Sequence, residues 1–294
     1  MENKEAASSI MMKELFPHTG KAQVVGVTGP LGTGKSSLVD QLVHSYRLQA
    51  KKVAVLAVDP SSPISGGAIL GDRVRMLEHS LDTNVYIRSM ASRGDEGGLS
   101  RASKDVVRIL DAAGFDLVFV ETVGIGQTEV EIIEIADTVV VVLMPELGDE
   151  IQAAKAGLVE IGDIFAVNKS DLPGADKVLY NLSPMLSLKA SGWKQVAVKV
   201  SARSSEGIGA LVSAIEAHAT FLKNSIESSA SRATEKLKRE LADRVSDLVT
   251  SDLAKKLPED PEFAEALEKL TRKELDPDTA SRRIAQRYIT RASS

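Results

Sequence analysis

The stretch Gly29–Ser36, with the letters GPLGTGKS, is the part of the sequence best equipped for chemistry. It fits the pattern G-x-x-x-x-G-K-[ST], in which glycines let backbone N–H groups turn toward phosphate oxygens. The lysine of such a loop reaches the β- and γ-phosphates, and the hydroxyl that follows it binds Mg²⁺. The residues predicted to contact nucleotide phosphates are Gly29, Gly32, Thr33, Gly34, Lys35, Ser36 and Ser37.

The segments on either side of this loop have the character that a phosphate-binding loop requires. Residues 22–28 form a short β-branched run suited to a buried strand, and residues 37–47 continue as a helix. The start of that helix adds partial positive charge where the phosphates would lie. A glycine turn before an ordinary surface helix is the alternative, and the order strand, loop, helix disfavours it.

A second motif, Asn168-Lys169-Ser170-Asp171, follows the predicted strand 164–167 and has the form N-K-x-D. The Asp171 carboxylate can accept hydrogen bonds from guanine N1–H and the exocyclic amine, and the Lys169 stem can lie along the ring. Asn168 either bonds the base edge or holds the loop. Downstream of a phosphate-binding loop, the motif predicts GTP and GDP as ligands.

Acidic residues at predicted strand ends are the candidates for metal binding and catalysis. Asp59 follows the strand 53–58, Asp72 lies in the next loop, and Glu121 follows the strand 115–120. Open α/β sheets bind ligands at the carboxyl ends of their strands, although Asp59 and Asp72 are equally compatible with solvated loops. Gly124 comes three residues after Glu121, and its backbone N–H suits a γ-phosphate contact.

The last predicted strand, residues 196–200, leads into Ser201 and Ala202. GTPases commonly offer a backbone N–H to guanine O6 at this position. We therefore predict that Ser201 and Ala202 complete the guanine site.

Strand and helix patterns alternate along most of the chain, which favours a P-loop G domain with a mainly parallel sheet flanked by helices. From about residue 224 onward the strand patterns stop, and residues 235–257 have helical spacing. The predicted domains are a short N-terminal extension (1–21), a GTP-binding domain (22–223) and a helical extension (224–294). The extension is either extra packing or a dimerisation or partner arm.

Composition narrows the classes of partner. The net charge of −5 and the lack of a long basic block argue against nucleic-acid binding. No apolar run is long enough to span a membrane, so we expect no membrane association. With 0 cysteines the chain fits the reducing cytoplasm, and its 4 histidines are scattered.

Several further motifs, taken together, resemble the MeaB/ArgK family. These are the GTPase chaperones of adenosylcobalamin-dependent methylmalonyl-CoA mutase, related to the human MMAA protein. The motifs that carry the resemblance are DPSS at residues 59–62, ILGDRVRM at 69–76, RSM at 88–90, SRG at 92–94 and ETVGIGQ at 121–127.

The resemblance implies a G domain, homodimers formed through C-terminal helices, and an adenosylcobalamin-dependent mutase as partner. It also implies that Lys35 and Ser36 hold phosphate and Mg²⁺, and that Asp59, Asp72 and Glu121 surround the metal. Residues 144–155 would match a loop that reports the nucleotide state to the mutase.

One position departs from the pattern of many GTPases, which carry a water-orienting glutamine directly after the glycine. Here that position is Ile125, so we expect slow hydrolysis by the chain alone. The alternative function is a nickel-insertion metallochaperone GTPase, which requires a Cys/His metal site that this sequence does not provide. An ATP-dependent kinase is disfavoured by the guanine-reading motif.

Overall fold

The computed structural model describes residues 6–59, 79, 81–91, 101–122, 128–145, 157–187, 189 and 191–291. The chain divides into two compact units, Met1–Ser228 and Ser229–Ser294. The first unit holds the sheet and the second is helical. Within the described residues, no helix combines the length and apolar character needed to cross a membrane.

The first unit is built on one sheet. Its strands are β1 (Gln23–Thr28), β2 (Val53–Asp59), β3 (Val85–Ala91), β4 (Leu117–Thr122), β5 (Thr138–Leu143), β6 (Ile164–Val167) and β7 (Val196–Lys199). The seven strands lie in the order β3-β2-β4-β1-β5-β6-β7, and all neighbouring pairs are parallel. Strands buried on both faces explain the continuous apolar runs in the sequence.

Helices make up most of the remaining described structure. They are α1 (Ala6–Leu15), α2 (Lys35–Leu48), α3 (Arg101–Ala112), α4 (Thr128–Ile135), α5 (Ala175–Leu182), α6 (Ile208–Asn224), α7 (Ile226–Lys256), α8 (Pro261–Thr271) and α9 (Pro277–Arg291). Together with the parallel sheet, they confirm the predicted α/β fold with a C-terminal helical part. That this part is a dimerisation or partner arm stays a prediction.

Apolar layers cover both faces of the sheet. One layer packs α2 and α6 against the sheet and includes Leu38, Leu42 and Ile215. The other packs α3, α4 and α5 against the opposite face. Gly26 in β1 lets α4 approach closely, because a Cβ there would lie only 2.6 Å from Cγ1 of Ile132. The sandwich fixes the position of the strands and therefore of their carboxyl ends.

At the amino edge of the sheet, aspartates that precede one strand hold the backbone of another. Each carboxylate accepts a backbone N–H, which replaces a hydrogen bond that the ladder leaves unmade at its end. The pairs are Asp116 with Lys52 N (2.8 Å), Asp137 with Val24 N (3.0 Å) and Asp163 with Val139 N (2.8 Å).

The same edge carries an aromatic cluster. The indole N–H of Trp193 donates to the carbonyl oxygen of Asp163 at 3.1 Å. The Trp193 ring lies 4.6 Å from the buried His218 ring and 5.4 Å from Phe221, measured between ring centroids. Lys189 closes the cluster by donating to the Asp163 carboxylate at 2.8 Å. These contacts all lie at the amino edge of the sheet, away from the carboxyl ends of the strands.

Within the second unit, Asp260 joins α8 to α9. Its Oδ1 accepts the backbone N–H of Glu262 at 2.9 Å and so caps α8, while its Oδ2 accepts the hydroxyl of Tyr288 at 2.8 Å. Arg287 adds an ion pair at 3.2 Å. The long helix α7 instead carries exposed apolar side chains at helical spacing, namely Leu237, Leu241, Val245, Leu248 and Val249. We call these the α7 stripe.

Candidate functional site

The predicted phosphate-binding loop lies between the carboxyl end of β1 and the start of α2. Gly29, Gly32 and Gly34 have positive φ values of 137°, 80° and 85°, which strain any residue with a Cβ. A Cβ on Gly29 would also overlap the carbonyl oxygen of Val142 in β5. The loop conformation therefore depends on these glycines.

Lys35 opens α2 and is buried. Its ammonium group donates to the carbonyl oxygens of Gly29 at 2.8 Å and Pro30 at 3.0 Å. The loop thus curls around the lysine, which places a full positive charge next to the helix start. Both features favour a bound phosphate.

Ser36 and Glu121 meet directly at this loop. The Ser36 hydroxyl donates to Glu121 Oε1 at 2.6 Å, and the side chains are 7% and 5% exposed. The sequence predicted Glu121 just after a strand. The structure places it inside β4, in register with Val27 of β1 and Ala57 of β2. A hydroxyl and a carboxylate in contact are suitable ligands for Mg²⁺.

No group of three or more His, Cys, Asp or Glu side chains capable of holding a metal occurs within the described residues. Mg²⁺ commonly takes one or two carboxylates and completes its shell with waters and substrate phosphates. Ser36 and Glu121 supply one hydroxyl and one carboxylate, oxygens of the kinds that Mg²⁺ takes.

Asn168 connects the parts of the site. Its side-chain amide donates to the Thr33 carbonyl at 2.8 Å, and its Oδ1 accepts the Ala202 N–H at 3.0 Å. Asn168 is 2% exposed, so these bonds lie away from solvent. Of the roles open to it in the sequence, the structure shows the loop-holding one. The Ala202 N–H, predicted to reach guanine O6, here serves Asn168.

Asp171 and Lys169 sit on the open side of the same motif. The Ser201 hydroxyl donates to Asp171 Oδ1 at 2.7 Å, and this bond, followed by backbone hydrogen bonding, holds the pKa of Asp171 below its usual value. Lys169 adopts a left-handed backbone with φ of 56°, and its ammonium group lies 3.3 Å from the sulfur of Met144. Asp171 is thus exposed, ionised and oriented, as guanine recognition requires.

Other predicted site residues are described only in part. Asp59 ends β2, as predicted, but its side chain lies outside the described set. Asp72, Gly124 and the loop residues 146–155 also lie outside it. Ser37 is described and is exposed in the first turn of α2. Their contacts with nucleotide or metal stay predictions.

Sequence reasoning missed two contacts at this site. The hydroxyl groups of Thr28 and Thr122 lie 2.9 Å apart and are fully buried, which links the last residues of β1 and β4. The second contact is that of Met144 with Lys169. No motif in the sequence marks these threonine and methionine residues. The contacts become visible only once the parallel strands are placed side by side.

With this geometry established, comparison with known proteins decides the family. The family model described as "Methylmalonyl Co-A mutase-associated GTPase MeaB" matches residues 1–260. The chain belongs to the MeaB family. By its fold and its family, it is a P-loop GTPase.

Relatives of this MeaB-family chain differ in how much of it they cover. A protein of Pyrococcus horikoshii, provisionally named a GTPase, is 42% identical over 297 residues, covering 99% of this chain and 92% of its own. The mitochondrial methylmalonic aciduria type A homolog of Mus musculus is 37% identical over 190 residues, which is 63% of this chain and 46% of its own. The GTPase ArgK of Escherichia coli is 38% identical over 167 residues, which is 57% of this chain and 50% of its own.

Solved structures support the fold of the MeaB-family chain. The crystal structure of the LAO/AO transport system kinase aligns with a TM-score of 0.66 and 24% identity, covering 97% of this chain and 87% of that one. The hydrogenase maturation factor HypB from Archaeoglobus fulgidus gives a TM-score of 0.50 at 14% identity, covering 72% of this chain and 94% of that one. At such identities the likeness concerns the fold alone.

Proposed function

We propose that this chain binds GTP and GDP with Mg²⁺, hydrolyses GTP, and couples its nucleotide state to an adenosylcobalamin-dependent acyl-CoA mutase. The observation that carries the nucleotide part is the pairing of Asp171 with Ser201, next to the Asn168 bridge between the guanine motif and the phosphate loop. Family membership supports the mutase part.

In this proposal, each described side chain has a distinct task. Asp171 accepts two hydrogen bonds from the guanine edge, and Asn168 keeps that edge at a fixed distance from the phosphate loop. Lys35 leaves the carbonyl oxygens of Gly29 and Pro30 to bind the β- and γ-phosphates, where its charge stabilises the transition state. Mg²⁺, when bound, neutralises the charge that develops on the phosphate oxygens.

Nucleotide choice tests the guanine part. If Asp171 pairs with guanine, adenine nucleotides leave its carboxylate unmatched, so ADP should bind about 10⁴-fold more weakly than GDP. Calorimetric titration of the parent with GDP and ADP measures this ratio, and Asp171→Ala should narrow it. Asp176→Ala, a nearby exposed aspartate in α5, is the control and should retain the parent ratio. Equal affinities for GDP and ADP in the parent would disprove guanine recognition.

The rate of GTP hydrolysis with and without a mutase tests whether this chain couples its nucleotide state to that partner. Because Ile125 cannot orient water, hydrolysis by the chain alone should be about 10⁻⁴ to 10⁻² per second, as for unassisted GTPases. An adenosylcobalamin-dependent mutase from the same source should raise this rate, and by linkage a mutase that prefers the GTP form should also tighten GTP binding. Lys35→Ala should abolish both rates. A parent rate that no such mutase changes would remove the chaperone role and leave the GTPase.

We also propose that residues 224–294 form a homodimerisation arm. The α7 stripe supports this, since a row of exposed aliphatic side chains on one helix face suits a second helix. The likeness to HypB is one of fold alone, so it does not support the nickel-insertion alternative. Within the described residues, no group of three or more His, Cys, Asp or Glu side chains could hold a metal ion.

A further inference from the structure

We propose that the hydrogen bond between Thr28 and Thr122 positions the phosphate loop for GTP hydrolysis, so that both threonines are positioning residues of the reaction. The Thr122 hydroxyl donates to the Thr28 hydroxyl at 2.9 Å, and both side chains are fully buried. This inference rests on the GTP hydrolysis of the proposed function, and it does not involve the mutase.

The bond joins the ends of two neighbouring strands at the point where the phosphate loop begins. The register pairs Val27 of β1 with Glu121 of β4, so the two threonines are the next residues along their strands. Thr28 directly precedes Gly29, whose carbonyl oxygen accepts the Lys35 ammonium at 2.8 Å. The bond therefore ties the start of the lysine-holding loop to the end of β4.

The two threonines lie on the opposite face of the sheet from the contact between Ser36 and Glu121, because successive strand residues alternate between faces. On the threonine face, the preceding residues of both strands are apolar or glycine. These residues are Val24, Gly26, Val118 and Val120. Both rows thus become polar at the same step, directly before the chain leaves the sheet.

Apolar packing alone does not account for this threonine pair. Valine has the same branched shape, and two valines would fill the space without burying a polar atom. Burying two hydroxyls costs desolvation, which their mutual hydrogen bond offsets. What the pair adds is direction, since a hydrogen bond fixes the spacing of two particular oxygen atoms. We therefore assign the pair to alignment of the strand ends.

The alignment should matter most for the γ-phosphate. The guanine motif and the phosphate loop suffice to hold GDP, whereas GTP adds a phosphate for which the sequence predicts a contact at Gly124, two residues after Thr122. The bond lies between the loop and the strand that leads to this residue. A small misplacement of the two should slow the reaction and leave GDP binding unchanged.

Valine at either position removes the hydroxyl and keeps the branched shape. Thr28→Val and Thr122→Val should each lower kcat for GTP by about tenfold or more, while the calorimetric Kd for GDP stays at the parent value. Thr28→Ser and Thr122→Ser keep the hydroxyl and should retain most of the parent kcat. A loss of packing alone would instead make the serine variants the weaker ones.

Thr138 in β5 provides a matched control. It is also fully buried, and its hydroxyl lies 2.9 Å from Nδ1 of His218, at the amino edge of the sheet. Thr138→Val thus removes one buried threonine hydrogen bond from the same sheet, far along the strands from the phosphate loop. It should lower Tm and leave kcat at the parent value.

A double variant separates the bond from its two side chains. If the bond acts as a unit, Thr28→Val combined with Thr122→Val should lose no more kcat than either single change. The double variant also leaves neither hydroxyl buried without its partner, so it decides the matter if a single variant fails to fold. Single losses that multiply in the double variant would show that the hydroxyls act separately, which overturns the bond as the cause.

The outcomes separate this inference from the proposed function. A parent that hydrolyses GTP, with valine variants that match its kcat, overturns the positioning role only. The same holds if Thr138→Val loses as much kcat as they do. A parent that hydrolyses no GTP overturns the proposed hydrolysis and this inference together.

Discussion

Asn168 and Asp171 belong to one four-residue motif, yet they do different work. Asn168 is buried and holds the phosphate loop and the Ala202 backbone, whereas Asp171 stays exposed beside the Ser201 hydroxyl. The residue type alone allowed either role for Asn168, and only its burial decides the matter. The motif therefore predicted which ligand the site is suited to, but not which side chain touches it.

The Ser201 hydroxyl should control how guanine binding depends on pH. It is the largest cause of the lowered pKa of Asp171, so Ser201→Ala should raise that pKa toward the ordinary value of about 3.9. Guanine recognition needs the ionised carboxylate, and binding is lost as the pH falls through its pKa. In the variant, GDP affinity should therefore begin to fall at a higher pH than in the parent.

Titration of GDP affinity between neutral pH and about pH 4 measures this difference, the lower limit lying near the usual pKa of an aspartate. Ser213→Ala is the control, because its hydroxyl bonds only a helix carbonyl within α6. Parallel pH profiles for the parent and Ser201→Ala would show that Ser201 does not stabilise the charge on Asp171.

Gly32 and Gly34 of the phosphate loop allow the cost of backbone strain to be distinguished from the cost of a steric clash. Both have positive φ, so alanine at either should cost about 1–2 kcal/mol of folding free energy. A Cβ on Gly34 would also lie 2.6 Å from Asn168 Nδ2, whereas nothing lies within 4 Å of a Cβ on Gly32. Gly34→Ala should thus be the more destabilising by about 1 kcal/mol or more. Urea unfolding of the nucleotide-free proteins measures both, and equal losses would contradict the contact.

At the level of elements, the short runs predicted as strands correspond to β1, β2, β4, β6 and β7 of the sheet. The predicted run 164–167 coincides with β6, and the other strands differ by a few residues at their ends. The helices α4 and α5 were not predicted. The α4 sequence TEVEIIEI is rich in β-branched residues, which do not favour helix, and its packing on Gly26 forms it through tertiary contact. The first turns of α7, IESSASRA, lack an apolar stripe, so that helix starts earlier than its pattern indicates.

The aspartates at the amino edge show that polar residues also fix the sheet. Asp163 is buried and accepts from Val139 N and the Lys189 ammonium, so Asp163→Ala leaves both donors without this partner. We expect a loss of about 2–4 kcal/mol in unfolding free energy. Asp176→Ala is the control, because its 2.7 Å pair with Lys199 is exposed and screened by solvent, so its loss should cost much less. Thermal unfolding of both variants measures the two losses in unfolding free energy. Similar losses would mean that burial of Asp163 does not strengthen its hydrogen bonds.

For the whole molecule, the proposed dimer depends on the α7 stripe. A lysine at Leu241 or Leu248 would bring charge into an apolar helix pair, so either change should weaken dimerisation by tenfold or more, about 1.4 kcal/mol. Sedimentation velocity over a range of concentrations measures this. Leu81→Lys is the control, because Leu81 is 94% exposed but lies in the first unit. A monomeric parent, or variants that dimerise like the parent, would exclude the stripe as the interface.

Trp193 offers a separate view of the two units, since it is the only tryptophan of the chain and packs on His218 and Phe221 in the first. Its fluorescence therefore follows the melting of the sheet unit, whereas far-ultraviolet circular dichroism follows the helices of both. Coincident transitions from the two signals would mean that the units unfold as one cooperative block. Separated transitions would mean that the helical unit has a stability of its own, and the tryptophan would then identify which transition belongs to the sheet.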